Sequence, residues 1–301
     1  VKHAVRDTPV SCSICASPDT RIAFFLKDHA VSGETFHLRD CKRCGFRFTY
    51  PLPEPDVISD YYRSETYISH SDTRKGIINA AYHVARNFML RRKIRWVSSF
   101  SPGKTLLDVG CGTGYFLNTA QKQGYIAQGV EVDAGARQFA KEKFGLQVDE
   151  AEAFLSEHFQ KSFDWITLWH VLEHLHNPDR YLAKIKACLE ENGLLLIAVP
   201  NFSSLDAAHY GDYWAGYDVP RHLWHFHPIM LVQWVTSQGF RLRTKKSMFL
   251  DAFYVSLLSE KYLKRGLIGL FSGLLIGFLS SLNGLIFRDK SSSIIYVFGK
   301  A

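Results

Sequence analysis

Three groups of residues in this 301-residue chain have types and spacings that could do chemistry. Cys12-Ser-Ile-Cys15 and Cys41-Lys-Arg-Cys44 form two CxxC knuckles, the second closed by Gly45. Each such turn aims two sulfurs at one point, and four soft thiolates complete a tetrahedral Zn²⁺ without leaving an open position. The expectation is a zinc ribbon whose metal is structural. Redox thiol chemistry is the other use of this spacing.

The second group is a glycine loop. An apolar run enters Asp108-Val-Gly110-Cys111-Gly112-Thr-Gly114, and a helical pattern follows. Glycines let the backbone turn tightly and approach a ligand, and the following helix start offers N–H groups to an anion. The GxGxG spacing differs from the GxGxxG of dinucleotide-binding folds. In the next unit Gly129-Val-Glu131-Val132-Asp133 ends a second apolar run in an acid. A carboxylate there can accept hydrogen bonds from both ribose hydroxyls of an adenosine moiety.

The third group is rich in histidine. His170-x-x-Glu173-His174 matches the HxxEH pattern of inverted zinc peptidases, but that motif lies within a helix. Here His170 follows the apolar run 165–169, so it falls at the end of a strand, where the ligand crevice of a parallel sheet opens. Residues 210–228 add Arg221, His222, His225, His227 and a dense set of aromatics, a composition that fits a lid over a polar, ring-bearing substrate. In the plainer account Trp214, Trp224 and Phe226 are core, and His227-Pro228 starts a helix. His222 is the leading candidate for a general base, with His170 and His225 in the catalytic set. A neutral imidazole near its free pKa of ~6.5 can take a proton from a hydroxyl.

These residues need elements to hold them. Strand-like runs at 105–109, 126–130, 146–148, 165–169 and 194–199 alternate with helical patterns, which predicts a parallel sheet covered on both faces. Two further strands are expected at 241–248 and 293–299. A helical pattern over 80–100 stops at Pro102-Gly103, and Pro51-Leu-Pro53-Glu-Pro55 reads as a stiff linker. The expected division is a ribbon at 1–50, a linker and cofactor-covering helical segment at 51–100, and a catalytic domain at 101–301 with an apolar insert at 251–290. At 47% hydrophobic and 22% charged residues, the composition excludes disorder, collagen and coiled coil. The net charge of +7 is concentrated in the first third and is densest at Arg91, Arg92, Lys93 and Arg95. That is either a solvated helix face or a contact for a polyanion. Six cysteines and no leading apolar stretch give a reducing cytoplasm as the expected location, with peripheral contact at the inner membrane face as an extension.

Loop, acid and strand order together resemble the class I S-adenosylmethionine-dependent methyltransferases. The resemblance implies an α/β fold with a Rossmann-like, seven-stranded doubly wound sheet and an antiparallel last strand. It implies S-adenosylmethionine as cosubstrate, contacted by Asp108, Gly110, Cys111, Gly112 and Gly114, by Glu131 and Val132, by Ala151 and Glu152 near the adenine, and by Trp169. Relatives with Glu-x-x-Glu-His after the fourth strand bind a divalent cation; this chain has His170 at the first of those positions. The knuckle Cys44-Gly45-Phe-x-Phe48, then Pro51-x-Pro53, Asp60-Tyr61-Tyr62 and Glu65-x-Tyr67, resembles zinc-ribbon methyltransferases of sugar and natural-product pathways. This implies a small-molecule acceptor such as a nucleotide-linked sugar or a lipid-linked substrate, with the Tyr62/Tyr67 segment closing over the cofactor. Arg221 precedes His222 where the carbon-methylating members carry an acid, which favours O-methylation. The alternative is methylation of an rRNA or tRNA base, with the ribbon and the basic first third on the RNA.

Residues 266–287 carry no formal charge and are flanked by Lys261, Lys264, Arg265, Arg288 and Lys290. The segment passes the length test for a membrane span, and Gly269, Gly273 and Gly277 form a small-residue stripe. A single crossing would strand the last strand on the wrong side of a bilayer. The expectation is a helical hairpin between the final two strands, serving a membrane surface, a lipid-substrate pocket or a homodimer interface.

Overall fold

The computed structural model describes residues 10–62, 77–100 and 103–301, with side chains of the middle stretch from 88 onward. Pro102 and the Glu65-x-Tyr67 part of the motif lie outside the described residues. Three antiparallel strands open the chain: β1 (Thr20–Lys27), β2 (Thr35–Cys41) and β3 (Arg47–Tyr50). Then comes α1 (Ile77–Ser98), close to the expected helix, and the alternating units β4 (Thr105–Val109), α2 (Tyr115–Lys122), β5 (Ile126–Val130), α3 (Ala134–Phe144), β6 (Val148–Asp149) and α4 (Ala151–Leu155). They continue through β7 (Phe163–Trp169), α5 (Pro178–Cys188), β8 (Leu189–Pro200) and α6 (Leu205–Tyr210). The chain closes with β9 (Trp224–His225), α7 (Pro228–Ser237), β10 (Phe240–Ser247), α8 (Asp251–Tyr262), α9 (Gly266–Ile286) and β11 (Ser293–Lys300).

Seven strands form one sheet in the order β10-β11-β8-β7-β4-β5-β6. Five run parallel, and β11 is antiparallel to both β8 and β10. Strands covered on both faces must be apolar at nearly every position. The side-chain alternation then sorts neighbours to opposite faces. Leu107, Val109, Ile166, Leu168, Leu195 and Ile197 pack on one side. Leu106, Trp165, Leu196, Ala198, Ile295 and Val297 pack on the other, under Leu90, Ile94 and Val97 of α1. Of the expected strands only the edge one moves: Leu146 turns inward, its N–H donating to the Ala140 carbonyl after the left-handed Gly145 cap, so β6 starts at Val148.

Strand order reverses on either side of β4 while strand direction is kept, placing the topological switch between β4 and β7. The glycine loop leaves β4 there, Glu131 follows β5 and His170 follows β7.

Residues 10–50 do not stand apart. Their sheet has the order β1-β2-β3-β9, with Arg47 opposite His225 and Phe48 opposite Trp224. Residues 210–226 therefore correct the expected lid. Tyr210, Trp214, Tyr217, Trp224 and Phe226 are all buried, because this segment is the brace between ribbon and main sheet rather than a cover over it. The plainer account of those aromatics holds, and His227 caps α7 with Pro228 in its first turn.

Candidate active site

The glycine-loop side is built from one stretch of chain. Gly110, Gly112 and Gly114 all have positive φ, where a side chain is strained. Their surroundings differ. A Cβ on Gly110 would lie 2.4 Å from Val171 Cγ2, and one on Gly114 would lie 2.5 Å from Leu146 Cδ1, so these two glycines permit packing. A Cβ on Gly112 would meet nothing within 4 Å: this glycine faces the cleft. The N–H groups of Gly110 and Cys111 donate to the Val130 carbonyl at 2.7 and 3.1 Å, tying the loop to the end of β5. Gly112 N–H donates to Glu131 Oε2 at 2.8 Å, and Asp133 N–H donates to Oε1 at 2.9 Å. The carboxylate is thus fixed against the loop with lone pairs to spare. Beside it Val132 is 76% exposed, an apolar surface with room for a flat ligand. An open glycine, an oriented carboxylate and a bare apolar side chain fit an adenosyl group.

Asp108 lies behind the loop. It is buried, accepts a 2.6 Å hydrogen bond from the Thr167 hydroxyl, and is pushed up to about 7 by burial. The Cys111 thiol is buried against Gly129 and raised by burial, then by Asp108 and Glu131; it is packing. Trp169 stacks near Trp96, carries Lys93 Nζ at 4.3 Å from its ring centroid, and its Nε1 has no partner among the described residues. Ala151 and Glu152 start α4 just past β6; Glu152 is exposed and 4.0 Å from Arg180.

The histidine side is gathered from distant stretches. His170 leaves β7 with φ +57°, a left-handed conformation unusual for a residue with a side chain. Its amide donates to Ala198, Nδ1 lies 3.3 Å from Glu173 Oε1, and Nε2 lies 3.2 Å from Asp251 Oδ2 on α8. Burial pulls its pKa down, but the hydrogen bonds it donates to Asp251 and Glu173 outweigh this and hold it at about 9. His170 is therefore an imidazolium at neutral pH. Within the expected catalytic set it therefore has no lone pair to offer, and it bridges two carboxylates.

Glu173 sits in the 3-10 turn Leu172–His174, fully buried, and its Oε2 has no partner among the described residues. His174 Nδ1 lies 2.9 Å from the Arg221 carbonyl and 2.9 Å from the Tyr62 hydroxyl. His222 Nδ1 lies 3.0 Å from the Gly216 carbonyl. A carbonyl only accepts, so Nδ1 carries a proton in both rings. The rings meet edge to face at 4.7 Å, and one ligand atom each from Glu173, His174 and His222 lies within 4.8 Å of the others. Burial, then the neighbouring His222, lowers His174 to about 4. Glu173 stays ionised: burial opposes this, and the His170 hydrogen bond prevails. With Nδ1 engaged in both rings, the two Nε2 atoms and the orphaned carboxylate oxygen are the groups of this cluster that can accept a proton or ligate a divalent cation.

His225 does not join this cluster. Its Nε2 lies 3.0 Å from Thr49 Oγ1, its ring packs on Tyr217, and burial drives its pKa well below the usual histidine value. It is a seam residue, which removes it from the catalytic set. The same Thr49 hydroxyl donates to the His222 carbonyl at 2.6 Å, so the ribbon braces the candidate base directly. Arg221 adds a buried ion cluster: it pairs with Asp218 at 2.7 Å and with Asp28, from the β1–β2 turn, at 2.9 Å.

At the knuckles Cys12 and Cys44 sulfurs lie 3.6 Å apart, Cys15 and Cys41 sulfurs 3.5 Å, and all four fall within 4.8 Å. Sulfurs ~2.3 Å from a tetrahedral Zn²⁺ would be about 3.8 Å apart, so the cluster fits that ion. Cys44 N–H points at Cys41 Sγ across the turn that Gly45, at φ +73°, closes.

Sequence reasoning left Glu173 and His174 out of the catalytic set, and missed Asp251 altogether. The first pair was visible in HxxEH; nothing local to Asp251 marks it, since only the fold brings α8 to β7.

A switch-point cleft with a GxGxG loop and a ribose-type acid defines a class I S-adenosylmethionine-dependent methyltransferase. The chain belongs to that group: residues 83–245 match the methyltransferase domain family. It is 31% identical over 114 residues to the ubiquinone biosynthesis O-methyltransferase of Pasteurella multocida (strain Pm70), covering 33% of this chain and 47% of the relative. The enzyme of that name from Coxiella burnetii (strain Dugway 5J108-111) is 29% identical over 153 residues, covering 46% and 64%. The chain thus spans about half the length of the first of these relatives. Among solved structures, magnesium protoporphyrin IX methyltransferase from Synechocystis PCC 6803, with bound SAH, superposes with TM-score 0.53 at 12% identity, over 82% of this chain and all of that one. That likeness speaks to the fold.

Proposed function

We propose that this methyltransferase acts on a hydroxyl oxygen of a small acceptor, a sugar, nucleotide sugar or lipid-linked natural product, with His222 as general base. The observation that carries the reading is the His222 ring, whose Nδ1–H is spent on the Gly216 carbonyl at 3.0 Å and which lies with Glu173 and His174 in one cluster past the end of β7. The O-methyltransferase names of the relatives support oxygen as the acceptor atom. Bound against Gly112, Glu131 and Val132, S-adenosylmethionine would supply an electrophilic methyl on a positive sulfur. The protein's part is alignment, which can be worth ~7–11 kcal/mol, and proton removal, worth a further ~10²–10⁴ in rate. His222 Nε2 takes the hydroxyl proton as the oxygen attacks. Glu173 then faces the resulting imidazolium, and His170 and Asp251 hold Glu173 in place. Cys12, Cys15, Cys41 and Cys44 hold a structural Zn²⁺ that fixes the sheet on which the His222 backbone hangs.

The orphaned Glu173 Oε2 favours a second reading, in which Glu173, His174 and His222 hold a divalent cation. Such an ion would supply a Lewis acid that acidifies the hydroxyl.

The test is methyl transfer from labelled cosubstrate into small-molecule and RNA fractions of an extract, with and without added Mg²⁺ or Mn²⁺. A labelled methyl ether formed at equal rate in both supports His222 as base. Ether formation only with added cation supports the second reading. Label in RNA, or on carbon or nitrogen, overturns the proposal.

A further inference from the structure

The helix α9 is packed inside out. The side it turns to the protein carries Gly269, Gly273, Gly277, Ser280, Ser281 and Gly284, all buried. The side it turns outward carries Leu267, Ile268, Phe271, Leu275, Phe278 and Ile286, each 50–77% exposed. A helix stabilised by water-driven packing does the opposite, burying its large apolar side chains. The cause is the close approach of α8: a Cβ on Gly277 would lie 2.8 Å from Phe253 Cα, and one on Gly273 would lie 3.2 Å from Leu257 Cα. With that seam fixed, the large residues have nowhere to go but out. The 21 residues give an apolar ridge about 31 Å long at 1.5 Å per residue, without an Asp, Glu, Lys or Arg.

Charge at the two ends says what covers it. Lys261, Lys264 and Arg265 stand at one end, Arg288 and Lys290 at the other. The nearby acids are engaged: buried Glu260 by Tyr210, Ser272 and Arg265, the last at 3.7 Å, and Asp289 by Lys245 at 2.5 Å, which leaves Lys261 and Lys264 to carry the charge of the first end and Arg288 and Lys290 that of the second. A two-fold contact between copies would set a basic end against a basic end in either direction, so like charges oppose a dimer through this face. A span is excluded by topology: β10 and β11, which flank the hairpin, pair with each other in one sheet, so the chain returns to the side it left. Anionic lipid headgroups attract such basic clusters, and an apolar helix face sinks into the boundary beneath them.

We infer that the outer face of α9 docks on an anionic lipid bilayer, with the helix lying along the surface. The inference stands apart from methyl transfer, because the ridge and its charges need no ligand in the cleft.

The test is co-sedimentation of the purified full chain with phosphatidylglycerol-containing vesicles and with pure phosphatidylcholine vesicles. The expected result is binding on the order of tenfold or more tighter to the anionic vesicles, weakened by salt, with protein released by carbonate. The variant F271S/L275S/F278S is expected to lose vesicle binding while keeping the wild-type melting temperature and cofactor affinity, since all three side chains are exposed. Equal binding to both vesicle types, resistance to carbonate, undiminished binding by the triple variant, or a stable lipid-indifferent dimer that the variant splits would each overturn the inference.

Discussion

The two sides of the cleft are made differently. The glycine-loop side, from Asp108 to Asp133, is a single strand–loop–helix–strand passage whose parts are neighbours in the chain. The histidine side needs Glu173 and His174 from one turn, His222 from the brace, Asp251 from α8 and Thr49 from the ribbon. Damage to the first should stay local and appear as lost cofactor affinity. Damage to the second should travel, because each member is held by another part of the fold.

The largest effect expected is from stripping the ribbon of its proposed metal. Chelation, or Cys41→Ser, should unfold residues 10–50 and with them the β3–β9 pairing, since structural zinc contributes ~10 kcal/mol or more to such modules. Turnover should vanish while cofactor affinity falls far less, as calorimetry with S-adenosylhomocysteine would show; equal loss of both would erase the distinction between the sides. Next is His222→Ala, for which kcat should drop ~10²–10⁴-fold with cofactor Kd unchanged. A near-normal kcat on the true acceptor would remove this residue from the chemistry.

On the other side, Asp108 gives a pH signature. Its folded pKa, about 7, exceeds the unfolded value of ~3.9, so between these limits the native state binds the extra proton. Stability should therefore fall as pH rises from 4 to 7 and level off above, by roughly 2–4 kcal/mol from this group. Asp108→Asn keeps a partner for Thr167 and should flatten that part of the curve; urea midpoints of the two proteins across the window test it. Glu131→Ala should weaken cofactor binding about 100-fold, in keeping with charge-assisted hydrogen bonds of ~1.5–3 kcal/mol, and leave the melting temperature near wild type. The smallest effect is Gly112→Ala, ~1–2 kcal/mol from positive φ alone. Gly110→Ala should cost more, because its methyl also meets Val171. Thermal melts of the pair, without ligand, decide whether Gly112 is the open glycine.

The same contrast explains what could be read in advance. Strand order, the glycine loop and the Glu131 acid were legible, since apolar periodicity and glycine spacing act over a few residues. The four cysteines were legible because the knuckle is a local turn. Residues 210–228 were misread as a lid: aromatic density signals contact, not its direction, and the partner that buries them lies more than 150 residues earlier, at Arg47 and Phe48. His170 was legible as a residue at the end of a strand, but its pairing with Asp251 was not, because only the fold brings α8 to β7. The hairpin of α8 and α9 was anticipated from the need to return the last strand to its sheet, whereas which side of α9 faces water was decided by the Gly277–Phe253 approach.

The pairing of β3 with β9 has a consequence for anyone treating the N-terminal segment as a detachable module. Grafted onto another core, residues 10–50 would carry three strands of a four-strand sheet and an exposed β3 edge in search of a mate. Excised from this chain, they would leave Thr49 missing beneath His222 and Asp28 missing opposite Arg221, stranding a guanidinium in the interior. A workable chimera would have to exchange 218–226 together with 10–50, so the unit of inheritance here is a pair of segments far apart in sequence.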